Sequence, residues 1–208
     1  MSKAFNAQLL PKCADRLAKA KRALLGCRRS RSFGEFASHW AEFLIHTGGV
    51  LNALDAGSKE TPQGRQWYGK IKREGRTDPL VSYMHQARNV EEHGPEPTTR
   101  NAPTSVEIGA AGEPIIISNM RFGPELLRDP IGYLSGRVIN AQTGALPTIK
   151  HTPGGPELLT VADPRFGNAF DPPKEHKGRP IKKTDPIRIA EVYVTYLAEL
   201  INEAERHA

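Results

Sequence analysis

The chain has 208 residues and a mass of 22.9 kDa, enough for one large domain or two small ones. Apolar residues make up 38% of it and its mean hydropathy is −0.50, so a wholly disordered chain is excluded and a folded core with a large polar remainder is expected. The 29 Lys and Arg exceed the 23 Asp and Glu, and the net charge of +6 favours an anionic partner such as nucleic acid.

The sequence has no tract of about 18 apolar residues that could span a bilayer, and no apolar segment of a secretory signal follows its first residues. These features predict a cytoplasmic protein without a membrane partner. Cys13 and Cys27 are too few for a thiolate zinc site, and we expect both in the core. We expect neither a metal nor a cofactor.

The first 93 residues have the hydrophobic period of helices. An apolar stripe predicts a first helix over about residues 7–27. Ser32 and Glu35 have the spacing of a capping box and predict a second helix that continues to about residue 56. Because Gly48–Gly49 lies inside this second helix, we expect a kink there or the close approach of another backbone.

Two shorter helices follow. Pro62 at a first-turn position predicts a third helix that ends near Gly75. Asp78 as N-cap and Pro79 as first helical residue predict a fourth, which ends before Gly94. The connections between these helices are short, which is typical of antiparallel neighbours.

The chain changes character near residue 95, because 14 of its 17 prolines lie between Pro95 and Pro186. Short apolar runs separated by Gly and Pro predict small strands in this part. The runs are Val106–Ile108, Ile115–Ile117, Val138–Ile139 and Leu158–Val161. A last amphipathic helix follows, with Asp185 as its N-cap.

The sequence therefore predicts a mainly α (α+β) protein. An antiparallel helical bundle over residues 7–93 is closed by the last helix, and a Pro/Gly-rich insertion carries short β-strands. We expect one composite domain, in which residues 1–94 and 185–208 form the bundle and residues 95–184 form the inserted segment.

A compact set of polar residues lies at the end of the fourth helix. Arg88, Asn89 and His93 fall within eight residues that end in a Gly-Pro stop. On a regular helix Asn89 and His93 share a face, whereas Arg88 and His93 are about 140° apart, so a joint site needs a frayed last turn or a second copy of the motif. Alternatively, Arg88 pairs with Glu92 and His93 only stabilises the helix dipole.

These residue types suit RNA cleavage without a metal ion. That reaction needs a base for the proton of the 2′-hydroxyl group and a cation for the charge that develops at phosphorus. An imidazole supplies the first and a guanidinium the second.

The Arg-Asn-(three residues)-His arrangement after an apolar helix resembles the signature of the HEPN superfamily. These small helical bundles include metal-independent ribonucleases of toxin and phage-defence systems. The resemblance implies that Arg88 and His93 are the catalytic pair, that Asn89 assists them, and that a homodimer brings two motifs together. The long segment before the last helix departs from the compact members of the superfamily.

Basic residues form a second candidate site, since a phosphate backbone needs Lys and Arg. Residues 1–31 hold nine Lys and Arg against a single Asp, and further clusters lie at residues 70–76 and 174–183. From these clusters we expect nucleic-acid contacts by Lys12, Arg16, Lys19, Arg22, Lys70, Arg73, Lys177 and Arg179. The alternative is that these charges form only a solvated surface.

Three functions follow from the sequence. The first is a HEPN-like protein that engages RNA and cleaves it through Arg88 and His93 in a homodimer. The second is a non-catalytic HEPN-like module that binds nucleic acid, or that binds a protein partner through the inserted segment. The third is a structural protein of a phage or mobile element.

Overall fold

The computed structural model describes residues 5–109, 115–118, 148–163 and 167–208. The chain forms two compact units. Residues 1–100 and 156–208 make up the first, which we call the helical unit, and residues 101–155 make up the second.

The described residues are mainly helical, as predicted, and contain five α-helices. Each of these helices begins and ends within a few residues of its predicted boundary. A 3-10 turn at Ala7–Leu9 precedes the first of them. The helices are α1 (Leu10–Arg29), α2 (Phe33–Ser58), α3 (Pro62–Thr77), α4 (Pro79–His93) and α5 (Pro186–Arg206).

Side-chain caps fix the starts of four of these helices. The capping side chains belong to Ser32, Thr61, Asp78 and Asp185. At α2 the Ser32 hydroxyl accepts the Glu35 N–H at 3.2 Å, but the Glu35 carboxylate accepts the N–H of Arg31 rather than that of Ser32. Half of the predicted capping box is therefore shifted by one residue.

The core of the helical unit lies between its helices. Helix α1 packs on α2 and α5, while α4 packs on α2, α3 and α5. Trp40 of α2 is fully buried and stacks with Phe43 at a ring-centroid distance of 5.4 Å. Cys13 and Cys27 are buried, as predicted. Burial raises the pKa of these thiols to about 11 and about 12, so both stay protonated at neutral pH.

Nine short strands lie in the described part of the chain. They are β1 (Thr99–Ala102), β2 (Ser105–Gly109), β3 (Ile115–Ser118), β4 (Thr148–Thr152), β5 (Gly155–Leu158), β6 (Val161–Ala162), β7 (Ala169–Phe170), β8 (Glu175–His176) and β9 (Arg179–Pro180). Within the second unit, β2 is the central strand of an antiparallel sheet and pairs with β3 and β4. Strands β1 and β5 are paired, as are β6 with β7 and β8 with β9.

Two of the predicted strands are present, at β2 and β3. The prediction of one strand at Leu158–Val161 is wrong, because β5 ends at Leu158 and β6 begins at Val161. The hydrogen bonds of the intervening Leu159 explain the break, since its N–H donates to the carbonyl of Thr98 and its carbonyl accepts from Tyr83. The predicted strand at Val138–Ile139 lies outside the described residues.

Residues 156–184 belong to the helical unit, although we expected them within the inserted segment. Strands β6, β7 and β8 contact α4. The Tyr83 hydroxyl of α4 donates to the carbonyl of Leu159 at 2.8 Å, and the Gln86 amide donates to that of Ala162 at 3.0 Å. Because backbone carbonyls in irregular chain need donors, these side chains hold the segment against α4.

Asp78 joins the start of α4 to the hairpin formed by β8 and β9. Its side chain is 8% exposed, and its Oδ1 accepts the N–H of Val81 and lies 3.0 Å from Nδ1 of His176. Its Oδ2 accepts the N–H of Lys177 at 2.7 Å. Lys177 (φ 51°) and Gly178 (φ 70°) form the two-residue turn of the hairpin, with the positive φ angles that a type I′ turn requires.

Candidate functional site

One face of α4 carries a row of polar side chains that contact one another, which we call the α4 polar row. None of its members is among the buried residues of the helix. Their spacing of three and four residues places them on one side of the helix. The row consists of His85, Arg88, Asn89, Glu92 and His93.

Glu92 links the two principal residues of the sequence motif. Its Oε2 lies 2.5 Å from Nη2 of Arg88 and 3.7 Å from Nε2 of His93. The side chains of Arg88 and Glu92 are 22% and 21% exposed, whereas that of His93 is 74% exposed. Within one chain, Arg88 and His93 are thus joined through a carboxylate rather than through direct contact.

Asn89 continues the row towards the middle of α4. Its Oδ1 accepts a hydrogen bond from Nη1 of Arg88 at 3.2 Å, and its Nδ2 lies 3.4 Å from Nε2 of His85. His85 is not among the residues that the sequence motif predicts, although its place four residues before Asn89 was a usable signal. Desolvation and the charge of Arg88 lower the pKa of His85, with Asp163 opposing them, so this imidazole is neutral at pH 7.

The glycine pair of α2 accommodates arginine side chains from two neighbouring helices. A Cβ atom on Gly48 would lie 2.9 Å from Nε of Arg88, and one on Gly49 would lie 3.1 Å from Cδ of Arg16. The predicted close approach of another backbone is wrong, because the atoms nearest to both glycines belong to side chains, and the helix assignment of α2 runs through both. Arg16 of α1 and Arg88 of α4 therefore flank the same turn of α2.

Arg88 keeps donors for a ligand. Its Nε–H is buried and has no hydrogen-bond partner among the residues that the structure describes. A guanidinium group has five N–H donors, and the contacts with Glu92 and Asn89 engage only two of its three nitrogens. Because Nε is buried against Gly48, the donors left for a phosphate group are the second N–H groups of Nη1 and Nη2.

Clefts lie on both sides of the α4 polar row. A cavity of about 370 Å³ is lined by His85 and Arg88 together with residues of α2, α3 and α5. A second one, of about 470 Å³, is lined by Asn89 and His93 together with the chain that follows α4 and with residues 162–163. The row thus separates two spaces in which parts of one extended ligand could lie.

The basic residues expected to bind nucleic acid are spread over three elements. Lys12, Arg16, Lys19 and Arg22 lie on α1, Lys70 and Arg73 on α3, and Lys177 and Arg179 at the β8–β9 hairpin. Helix α1 packs on α2 and α5, whereas α3 packs on α2 and α4. Of this set, the structure brings Arg16 to the turn of α2 that Arg88 also contacts.

Two of these cations have partners within the chain. The ammonium group of Lys19 lies 2.7 Å from the carboxylate of Asp15. That of Lys177 lies 3.7 Å from Glu74 and 4.9 Å from the ring centroid of Tyr196, and so it helps to hold the hairpin. Four others of the set are exposed and make no ion pair in the described ranges. They are Lys12, Arg22, Lys70 and Arg73.

Comparison of this chain with family models, with characterised proteins and with solved structures finds no match. Over the described ranges, no helix combines the length and the apolar character needed to cross a membrane. No group of three or more His, Cys, Asp or Glu side chains there is placed to hold a metal ion.

Proposed function

We propose that this protein is a HEPN-like enzyme that engages RNA and cleaves it without a metal ion, as a cytoplasmic homodimer. Arg88, Asn89 and His93 are the proposed catalytic residues, and the helices form an antiparallel bundle closed by α5. The α4 polar row carries this proposal, because it places a guanidinium, with one N–H left on each Nη atom, and an exposed imidazole at the same carboxylate.

The chemistry needs two proton transfers. The 2′-oxygen attacks the adjacent phosphorus while an imidazole takes its proton, and the bond from phosphorus to the 5′-oxygen breaks as that oxygen receives a proton. The products are a 2′,3′-cyclic phosphate and a 5′-hydroxyl group. Arg88 stabilises the charge on the phosphoryl oxygens. In a homodimer, one His93 is the base and the other is the acid.

The surface beside Arg88 supports a homodimer. The side chains of Arg88 and Arg16 cover Gly48 and Gly49, and Ile45, one turn earlier on α2, is 42% exposed. An exposed apolar side chain beside this covered turn of α2 suits packing against a second copy. Such packing would bring two α4 polar rows towards one another, since Arg88 already lies on Gly48.

Wild-type protein incubated with single-stranded RNA in EDTA is expected to give fragments that end in 2′,3′-cyclic phosphate. Arg88→Ala and His93→Ala are each expected to reduce the cleavage rate by about 100-fold or more, because each removes a catalytic group. The measurement is single-turnover cleavage by gel, with mass spectrometry of the fragment ends.

Matched controls exist at the end of α5. His207 also follows the last turn of a helix, is 43% exposed and has a glutamate 4.0 Å away, and Arg206 precedes it. His207→Ala and Arg206→Ala should cleave at the wild-type rate. Equal cleavage by all the variants, or no cleavage by the wild type, would remove the enzyme proposal.

A non-catalytic module is the second candidate function, and the Arg88–Glu92 ion pair favours it. This is the i,i+4 contact that a structural role for Arg88 predicts. The module is expected to bind RNA, with an affinity that falls as salt rises, but to leave the RNA intact. Fluorescence anisotropy on intact RNA at several salt concentrations distinguishes it from the enzyme.

A further inference from the structure

The cavity of about 370 Å³ lies between α2, α3, α4 and α5, and Arg88 is one of its lining residues. Its volume falls within the range of small-molecule sites, roughly 300–1,000 Å³. All of its lining residues belong to the helical unit. The proposed function uses only its Arg88 edge and leaves the remainder of the cavity unexplained.

The cavity combines an apolar floor with a polar mouth. Ile71, Met84 and Tyr193 line it and are buried, whereas Asn52 and Arg76 line it and are exposed. A ligand that fits has an apolar body and a polar group at one end. A nucleotide has this form, because its base is flat and aromatic and its phosphate is anionic.

The charges at the mouth favour an anion. Lys72, Arg76 and Arg88 line the cavity together with the carboxylate of Asp55, so three cations face one anion there. Lys72 lies 3.0 Å from the carboxylate of Asp55, and Arg88 is paired with Glu92. Arg76, in contrast, makes no ion pair with any residue that the structure describes, so its guanidinium can bind a phosphate at no cost to an internal pair.

We propose that this cavity binds one nucleotide of the RNA strand, with its base against the apolar floor and its phosphate at Arg76. This inference rests on the proposed function and names a binding site for the nucleotide beside the cleaved bond. Arg88 at the edge of the cavity then meets the next phosphate of the strand. The amide of Asn52 has no hydrogen bond within the described residues and can pair with the edge of an adenine.

The test titrates AMP into the protein by calorimetry. Wild-type protein is expected to bind AMP more tightly than adenosine or inorganic phosphate, since each of these lacks one half of the ligand. Arg76→Gln should weaken AMP binding about tenfold through loss of the charged contact. Leu51→Trp should abolish binding by filling the cavity. Arg65→Gln, at the far end of α3, is the matched control and should bind AMP as the wild type does.

A competition experiment tests whether free AMP and the RNA strand occupy the same site. A short 2′-O-methyl RNA has no 2′-hydroxyl proton and stays intact, and AMP should displace it from wild-type protein. Failure of AMP to bind, or equal binding by wild type and Arg76→Gln, overturns the proposal. Binding of AMP without displacement of the RNA overturns its assignment to the RNA strand.

The two proposals can fail separately. Wild-type cleavage of RNA without AMP binding would remove the nucleotide cavity and leave the enzyme proposal in place. AMP binding that depends on Arg76, in a protein that cleaves no RNA, would leave a nucleotide site and remove the enzyme.

Discussion

Trp40→Ala is expected to lower the free energy of unfolding by about 4 kcal/mol, the usual loss when a fully buried aromatic side chain is truncated in a core. Trp40 is 0% exposed and stacks between Phe36 and Phe43. Its Nε1–H donates to the hydroxyl of Thr98 at 3.1 Å, and that hydroxyl donates to Glu91. The substitution therefore removes both the centre of an aromatic stack and a buried hydrogen bond. Urea unfolding followed by circular dichroism, at fixed protein concentration, measures the change.

Trp40→Phe separates the two contributions. Phenylalanine keeps most of the stacking and loses the indole N–H, so we expect a smaller loss, about 1–2 kcal/mol. Lys21→Ala, at an exposed position of α1, should change the free energy of unfolding by no more than about 0.5 kcal/mol. A loss below about 1 kcal/mol for Trp40→Ala would contradict the placement of this residue at the centre of the core.

Asp78→Ala is expected to lower the free energy of unfolding by about 3 kcal/mol. The carboxylate caps α4 through the N–H of Val81, which contributes about 1 kcal/mol. It also accepts the N–H of Lys177 and contacts His176, and hydrogen bonds to a buried charge contribute about 1.5–3 kcal/mol. Loss of the side chain thus releases the β8–β9 hairpin as well as the helix end.

Asp185→Ala is the matched control for this prediction. Asp185 caps α5 through the N–H of Arg188 at 3.0 Å, but it is exposed, and no second element among the described residues is hydrogen-bonded to its carboxylate. Its loss should cost only about 1 kcal/mol. Equal losses for the two variants would show that Asp78 acts as a helix cap alone.

The stabilisation by Asp78 also depends on pH. Burial raises the pKa of its carboxyl, but hydrogen bonds from Lys177, His176 and Val81 outweigh burial and hold the pKa below the ordinary value of 3.8. The ionised carboxylate therefore contributes its full stabilisation of the fold above about pH 4, and this stabilisation is lost as the pH falls through the lowered pKa. The difference in stability between wild type and Asp78→Ala should shrink on acidification from pH 5 to pH 2.

Local signals sufficed to predict the helices. Ser32, Asp78 and Asp185 act within one turn of the N–H groups that they cap, so their effect is visible in the sequence. The packing of residues 156–184 on α4 could not be predicted, because it depends on donors such as Tyr83 and Gln86 that lie 76 residues before their acceptors.

In the candidate site, too, local contacts could be predicted from the sequence and contacts between elements could not. Helical periodicity places Asn89 and His93 on one face, and the sequence also offers the contact between Arg88 and Glu92. The positions of Arg16 and Arg88 on the glycines of α2 result from tertiary packing, which a pattern in one helix does not contain. The cavity beneath Arg88 has the same origin, since four helices contribute to its wall.

The pairing of β1 with β5 has a consequence for how this chain can vary. The polypeptide leaves the helical unit after Arg100 and returns at Pro156, and the strands at these two points are neighbours. When the exit and the return are side by side, the entropy of closing the intervening loop changes by only about 0.6 kcal/mol for each doubling of its length. Changes in the length of the chain between β1 and β5 are therefore expected to alter this closure entropy only slightly.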